Sequence, residues 1–278
     1  MPVRRSAFFL PVEGGEKRFC LVTAPAGEPR GAVLYVHPFA EEMNKSRRMA
    51  ALASWAFAER GWMVLQVDLG GCGDSTGDFG DATWPGWLID VDVAWRWLRE
   101  RTRGPMVVWS LRAGSLVVSD WLKTQPASMP LLLWHPVTNG HQHLTQFLRL
   151  KGVSRMMEDG DAKATIAALR AELQAGHPVE IAGYALSPDL VGGLEKARFE
   201  LPSGFTGLVA SLEIVSSERP EPTPAVALLA ERWRERGGQW SADAIAGPGF
   251  WQTLEVEVCP ALIDASVAAL ESVGNEVQ

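Results

Sequence analysis

Cysteine, positive charge and long apolar runs are all scarce in this chain of 278 residues, and each shortage excludes a class of protein. The three cysteines, Cys20, Cys72 and Cys259, are widely spaced and odd in number, which favours reduced thiols in a cytoplasmic protein over a disulfide framework. The net charge of −7 leaves no basic stripe for nucleic acid. No apolar run reaches the roughly 20 residues that span a bilayer, so we expect no membrane insertion, and the first residues predict no secretory signal.

Predicted strands and helices alternate along most of the sequence. Hydrophobic residues make up 47% of the chain, enough for a large core. Helices are predicted at residues 44–60, from Pro85, after residue 113, and at 162–175, 223–236 and 261–270. Strands are predicted at residues 6–10, 17–23, 32–36, 62–67, just after Pro105, and at 131–135, 208–215 and 240–245. This order predicts an α/β fold with a mostly parallel central sheet, right-handed crossovers and helices on both faces.

The alternation stops between residues 140 and 205, where helical segments dominate and residues 179–182 are the one candidate strand. Helical segments inserted after the sixth predicted strand are typical of a cap or lid over the core. We therefore expect a core made of residues 1–139 and 206–278, with a helical cap at 140–205.

The most informative stretch is residues 105–118, Pro-Met-Val-Val-Trp-Ser-Leu-Arg-Ala-Gly-Ser-Leu-Val-Val. A strand, a turn of small residues and a helix form the nucleophile elbow of α/β-hydrolases, with the spacing small-x-nucleophile-x-small. Ser110 and Gly114 fill the small positions, so Arg112 stands at the nucleophile position. A guanidinium cannot attack a carbonyl. The next amide, that of Ala113, still offers half of an oxyanion hole. The pattern predicts a hydrolase fold without ordinary hydrolase chemistry.

Three alternative interpretations of this stretch remain open. The stretch is also compatible with a strand–turn–helix unrelated to catalysis. A shift of register makes Ser110 the nucleophile, although it lies at the end of the strand where a small residue is needed. Another shift selects Ser115, about one helical turn beyond the apex and packed toward the sheet.

The segment His37-Pro38-Phe39-Ala40-Glu41-Glu42 follows the third predicted strand, where hydrolases place the loop that donates the second oxyanion amide. Pro38 has no N–H, but Phe39 and Ala40 do. For His37 itself a hydrogen-bonded structural role is favoured over that of a general base.

A glycine-rich turn, Asp68-Leu-Gly-Gly-Cys-Gly-Asp-Ser-Thr-Gly77, follows the fourth predicted strand. Its glycines permit tight turns with positive φ. Cys72 lies within this turn, which makes its thiol a weak candidate for a nucleophile facing the pocket.

The catalytic histidine expected after the last strand is missing. The matching segment is Ala246-Gly-Pro-Gly-Phe-Trp251, and Phe250 occupies the histidine position. At the acid position no Asp is found, and the nearest candidates are Ser216, Ser217, Glu218 and, inside the strand, Glu213. Loss of nucleophile and base together indicates a degenerate triad.

His135 follows the sixth predicted strand, and the carboxyl ends of parallel strands are where such sheets bind ligands. Arg112, His37 and His135 are therefore expected to converge on one pocket that grips a carboxylate or phosphate. The alternative is an internal salt bridge from Arg112 to Glu41 or Glu42. His141 and His143 alternate but lack a third ligand nearby, so we expect no metal and no cofactor.

Four motifs together resemble one specific group, the second hydrolase family associated with the exosortase A system. They are His-Pro-Phe-Ala-Glu-Glu-Met-Asn-Lys-Ser-Arg-Arg at 37–48, Asp-Leu-Gly-Gly-Cys-Gly-Asp-Ser at 68–75, Ser-Leu-Arg-Ala-Gly at 110–114 and Gly-Phe-Trp-Gln-Thr at 249–253. The resemblance implies a bacterial protein encoded near exopolysaccharide and PEP-CTERM sorting genes. It implies a hydrolase fold but no substrate.

Our leading hypothesis is a non-hydrolytic member that binds an anionic or acyl small molecule. Arg112 is the expected anchor, with the Phe39, Ala40 and Ala113 amides, His37 and His135 beside it. One alternative is an active esterase, thioesterase or acyl transferase whose unorthodox catalytic groups come from Ser110, Ser115, His37, His135 and Cys72. Another is a structural partner in a sorting or exopolysaccharide complex.

Overall fold

The computed structural model describes residues 2–125, 128–156 and 162–276. Within these ranges the strands are β1 (Val3–Pro11), β2 (Lys17–Pro25), β3 (Gly31–Val36), β4 (Trp62–Val67), β5 (Met106–Leu111), β6 (Leu131–Trp134), β7 (Val179–Ile181), β8 (Tyr184–Leu186), β9 (Val209–Val215) and β10 (Trp240–Ala246). The helices are α1 (Glu41–Glu59), α2 (Trp84–Arg99), α3 (Gly114–Leu122), α4 (Gly140–Met156), α5 (Ala162–Gln174), α6 (Pro188–Lys196), α7 (Pro224–Glu235) and α8 (Pro260–Glu276).

Eight of the strands form one sheet in the order β1-β2-β4-β3-β5-β6-β9-β10. The pairs β1–β2 and β2–β4 are antiparallel, and the other neighbours are parallel. The predicted fold class is thereby confirmed. Because the strands from β3 to β9 are parallel, their carboxyl ends meet at one edge, where the loops after β3, β5 and β6 come together.

Strands β3 and β6 are buried along their whole length, which explains their continuous apolar sequences. In β3, Leu34 and Val36 belong to one core cluster, whereas Val33 and Tyr35 belong to the other. The first cluster includes apolar residues of α2 and α3, and the second includes those of α1 and α8. The predicted placement of helices on both faces is therefore correct.

The chain between β6 and β9 contains α4, α5, α6 and a hairpin formed by β7 and β8. Only the first of these strands was expected. Ala182 and Gly183 connect them with φ angles of 51° and 81°, the two positive values of a type I′ turn. A non-glycine residue at the first turn position concealed the hairpin. The cap boundaries at residues 140 and 205 stay a prediction.

Helix α1 begins at Glu41, three residues before the predicted start. The two glutamates in its first turn suit the positive end of the helix dipole. This early start matters for the site, because it brings Glu42 onto the first turn, directly after the loop that follows β3. Among the helices in the described ranges, none has both the length and the hydropathy needed to cross a membrane.

Candidate functional site

Arg112 has the backbone geometry of an elbow apex. It lies between β5 and α3 with a φ of 53°, which is uncommon for a residue with a Cβ. Its N–H donates to the Trp134 carbonyl at 3.0 Å. Its own carbonyl accepts from the amides of Ser115 at 3.1 Å and Val137 at 3.2 Å. These bonds to two neighbouring segments hold the strained conformation in place.

The small residues at the two flanking positions of the elbow, Ser110 and Gly114, allow close packing. A Cβ added to Gly114 would come within 2.6 Å of the Val36 carbonyl oxygen and 2.7 Å of that of His37, so only glycine fits. Ser110 is fully buried, and its hydroxyl forms no hydrogen bond within the described residues.

Neither of the other candidate nucleophiles has an activated environment. The Ser115 hydroxyl contacts two carbonyl oxygens, those of Arg112 at 2.7 Å and Val137 at 2.8 Å. Cys72 is buried, and this burial raises the pKa of its thiol, which stays protonated at neutral pH. These contacts give Ser115 a structural role and Cys72 the character of an inert buried thiol.

The guanidinium of Arg112 meets the first turn of α1. Its Nε donates to Glu42 Oε1 at 3.1 Å, and its Nη2 lies 3.1 Å from the same oxygen. Each side chain is only 14% exposed. The other oxygen of Glu42, Oε2, is buried and accepts no hydrogen bond from the described residues. Burial raises the pKa of Glu42, and the positive charge of Arg112 opposes that rise.

This ion pair is incomplete by comparison with a second one nearby. Arg47 uses two nitrogens to contact both oxygens of Asp68, at 3.3 and 2.9 Å. Arg112 instead directs two nitrogens at one oxygen, and its Nη1 group contacts no acceptor in the described ranges. The guanidinium also lies 5.3 Å from the ring centre of Trp251. Donors of Arg112 are therefore still available to a ligand.

A cavity of about 210 Å³ lies next to this pair. Its walls come from the loop after β3, the first turn of α1, the elbow, helix α4 and the loop after β10. Phe39, Phe147 and Trp251 supply apolar surface, and Glu42, Arg112 and His143 supply polar groups. The sequence predicted Phe39 and Arg112 for the binding site. It did not predict the other four.

His143 is the most unusual of these residues. It is 6% exposed, and neither ring nitrogen has a hydrogen-bond partner among the described residues. Burial, together with the charge of Arg112, lowers its pKa to about 3, so the ring is neutral at physiological pH. From the sequence, His143 is considered only as a metal ligand, and that role is rejected because no third ligand lies nearby. Its place on the apolar face of α4, four residues before Phe147, was the signal available.

The prediction that His37 converges with Arg112 on one pocket is wrong, because the two side chains line different cavities. The Nδ1 of His37 contacts the Pro38 carbonyl at 2.7 Å, and its Nε2 accepts from the Leu69 amide at 3.2 Å. The ring lines a separate cavity of about 40 Å³ beside Asp68. The neighbouring residue Pro38 engages one nitrogen of His37, and Leu69 in the glycine-rich turn after β4 engages the other.

His135 lies one layer below the cavity. Its Nδ1 accepts from the Ile214 amide at 3.1 Å, and its ring packs against Trp251 with 4.6 Å between centres. Burial and the nearby charge of Arg112 lower its pKa to about 4. His135 therefore supports the wall residue Trp251 and does not line the cavity itself.

The remaining triad positions also carry structural contacts. Phe250 is fully buried and packs edge-on against Trp134 and Trp251, with ring centres 6.1 and 5.2 Å apart. Glu213 accepts from the amide and hydroxyl of Thr223, at 2.6 and 2.9 Å, at the start of α7. No proton relay connects either residue to Arg112 in these contacts.

The expected oxyanion amides are distributed around the elbow. Ala113 precedes the first residue of α3, so its N–H belongs to the positive end of that helix. Phe39 lines the cavity, whereas Ala40, with a φ of 51°, lines a shallower surface pocket beside Cys72 and Tyr184.

The model of the serine aminopeptidase S33 family matches residues 27–189, more than half of the chain. The chain belongs to this family. The matched range includes the turn between β5 and α3 that contains Arg112. No curated protein matches the chain.

Solved structures with this fold include several ester-cleaving enzymes. Est1E from Butyrivibrio proteoclasticus, determined with bound ferulic acid, is 14% identical, with a TM-score of 0.65 over 98% of this chain and 99% of its own. A thermostable carboxyl esterase from Bacillus coagulans is 15% identical, with a TM-score of 0.63 over 100% and 99%. A lipase in its open form is 16% identical, with a TM-score of 0.66 over 98% and 100%. Identities this low show the common fold alone.

Proposed function

We propose that this S33-family chain binds a small acyl or anionic molecule in the cavity beneath α4, without Ser–His–Asp hydrolysis. The incomplete pairing of Arg112 carries the proposal. The guanidinium of Arg112, whose Nη1 contacts no acceptor among the described residues, borders a cavity of about 210 Å³ and is suited to hold a carbonyl or carboxylate oxygen.

The proposed absence of ordinary hydrolysis is supported by the contacts at three positions where triad residues were sought. Arg112 cannot act as a nucleophile, and Phe250 fills space between two tryptophans. Glu213 is engaged by Thr223 at the start of α7.

The charges of Arg112 and Glu42 favour a neutral acyl ligand over a free anion. Glu42 already neutralises Arg112, and its carboxylate would repel a second negative charge at the same place. A neutral carbonyl oxygen can accept from Arg112 without that repulsion. The aromatic walls formed by Phe39 and Trp251 suit the apolar part of such a ligand.

Binding measured by titration calorimetry tests this proposal, with short esters, thioesters and their free carboxylates as probes. Arg112→Ala is expected to abolish detectable binding, and the exposed Arg99→Ala on α2 is the matched control. Circular dichroism establishes that each variant is folded. Unchanged affinity in a folded Arg112→Ala protein would show that Arg112 is not the anchor.

The second candidate is an active esterase, thioesterase or acyl transferase with an unorthodox nucleophile, which membership of a serine peptidase family favours. Labelling of the purified protein by a fluorophosphonate tests it. Labelling that disappears in Ser110→Ala or Ser115→Ala would support this candidate and contradict the first. With the contacts described above, we expect no labelling of either serine.

The resemblance to exosortase A-associated hydrolases supplies a setting for the ligand. Of the motifs that carry it, residues 37–48 contribute Phe39 and Glu42 to the cavity, and residues 249–253 contribute Trp251. We propose on this basis a cytoplasmic protein whose ligand belongs to exopolysaccharide or PEP-CTERM sorting chemistry. Mass spectrometry of small molecules released from the protein purified from its own host tests this, and a compound absent from Arg112→Ala is the expected result.

A further inference from the structure

Several polar atoms in the cavity wall lack hydrogen-bond partners among the described residues. Glu41 Oε2 and Glu42 Oε2 are buried acceptors without a donor, and both nitrogens of His143 are buried without a partner, among the residues the structure describes. All three side chains contribute to the cavity wall. Among the cations of the lining, Lys45 donates to the Gln252 carbonyl over a long distance of 3.5 Å.

The formal charges of the lining cancel. The carboxylates of Glu41 and Glu42 face the cations of Lys45 and Arg112 around one cavity. A free carboxylate as ligand would bring only acceptors, and would leave the unmatched oxygens of the two glutamates without donors. It would also place a third negative group beside them. A ligand that has no net charge and also carries a hydrogen-bond donor avoids both costs.

From these contacts we infer that the cavity selects a neutral hydroxyacyl compound, an ester or thioester whose acyl chain carries a hydroxyl group. This inference rests on the proposed function and adds the chemical class of the ligand. The carbonyl oxygen accepts from Arg112, and the hydroxyl donates to Glu42 Oε2. The hydroxyl oxygen can in turn accept from His143 in the tautomer that presents an N–H.

The burial of these polar atoms explains why a ligand hydroxyl would be favoured in the cavity. The atoms are buried in side chains that line the cavity, and a buried polar atom without a partner is unfavourable. A small side-chain rotation toward a ligand hydroxyl removes that penalty. An analogue that lacks the hydroxyl leaves the penalty in place, which is the physical origin of the selectivity.

The size of the cavity limits the acyl chain. Its volume of about 210 Å³ is below the roughly 300–1,000 Å³ of typical small-molecule sites. A short chain therefore fits with its hydroxyl close to the carbonyl. Leu150, 42% exposed at the edge of the cavity, offers apolar surface to the alcohol part of the ester.

Three probes of matched size test the inference by titration calorimetry. They are ethyl 3-hydroxybutanoate, ethyl butanoate without the hydroxyl, and the free 3-hydroxybutanoate anion. The wild-type protein is expected to bind the hydroxy ester about 10- to 100-fold more tightly than either of the others, as for a hydrogen bond to a charged acceptor.

Variants assign the selectivity to its residues. Glu42→Ala removes the acceptor and releases Arg112, so the preference for the hydroxyl should disappear and the anion should bind more tightly than it does to wild type. Glu235→Ala, an exposed change on α7, is the control and should retain the wild-type order. His143→Leu is expected to weaken the hydroxy ester while leaving ethyl butanoate unchanged.

The outcomes separate this inference from the proposed function. Equal binding of the two esters, or preference for the anion by the wild-type protein, would overturn the hydroxyl requirement while leaving Arg112 as an anchor. Failure of all three probes to bind the folded wild-type protein would overturn the hydroxyacyl inference. If Arg112→Ala in addition behaves like wild type toward the wider panel of esters and carboxylates, the proposed function fails as well.

Discussion

Arg112 and Glu42 meet at the elbow through a single carboxylate oxygen, with Nε and Nη2 of the arginine both 3.1 Å from Oε1. Glu42 Oε2 and the Nη1 group of Arg112 remain without partners among the described residues. The pair is thus strong enough to order both side chains and still leaves one donor group and one acceptor for another molecule. Arg112, at the turn between β5 and α3, is thus a buried charged group whose pairing is only partly satisfied among the described residues.

Breaking this pair from one side should destabilise the protein more than removing both partners. Arg112→Ala leaves a buried carboxylate, and we expect it to lower the free energy of unfolding by about 3 kcal/mol. The Arg112→Ala/Glu42→Ala double variant should lose less than that. Urea denaturation of the single and double variants measures the coupling. A double variant as unstable as the sum of the two singles would contradict a direct interaction.

The unpartnered imidazole of His143 predicts a gain in stability when it is removed. A buried polar group without a hydrogen bond costs about 1–3 kcal/mol, so His143→Leu should raise the free energy of unfolding by about 1 kcal/mol. The exposed His177→Leu serves as the control and should change it by less than about 0.5 kcal/mol. A loss of stability in His143→Leu would mean that the ring has an unrecognised partner.

Acid should destabilise the folded protein through its buried histidines. The pKa of His143 is lowered to about 3, below the value of about 6.5 expected in the unfolded chain. Between these values the unfolded state binds the proton and the native state does not, so stability falls as the pH drops below about 6.5. The slope from this residue alone reaches about 1.4 kcal/mol per pH unit.

Comparing the wild-type protein with His143→Leu separates the contribution of His143 to the pH dependence of stability from contributions of opposite sign. The raised pKa of Glu42 acts in the other direction, because the native state then retains a proton that the unfolded state has lost. That contribution is common to both proteins. Denaturation between pH 7 and pH 4.5 should therefore show a shallower decline in the variant, and parallel declines would refute the lowered pKa of His143.

The two elbow serines should respond differently to alanine. Ser115 donates toward two carbonyl oxygens, and Ser115→Ala is expected to cost about 1 kcal/mol. Ser110 makes no hydrogen bond within the described part of the chain, so Ser110→Ala should be neutral or slightly stabilising. Thermal denaturation of the two variants compares them directly. The reverse order would argue that Ser110 has a partner and deserves renewed attention as a nucleophile.

Much of the fold was predictable because it depends on local periodicity. The continuous apolar run at residues 32–36 and the mostly apolar segment 62–67 predicted buried strands, and the structure places them next to each other inside the sheet. The hairpin of β7 and β8 was missed because its turn begins with Ala182, which carries no sequence signal for a positive φ. The start of α1 was missed because the preceding loop contains apolar residues.

By itself the sequence determined the α/β alternation, the elbow with Arg112 at its apex and the phenylalanine at position 250, since each follows from spacing along the chain. Only the tertiary structure decided that Arg112 pairs with Glu42 and not with Glu41. It alone brought His143 to the same cavity and directed His37 elsewhere. Such choices depend on which side chains from distant elements meet within a few ångströms, and on how deeply they are buried when they do.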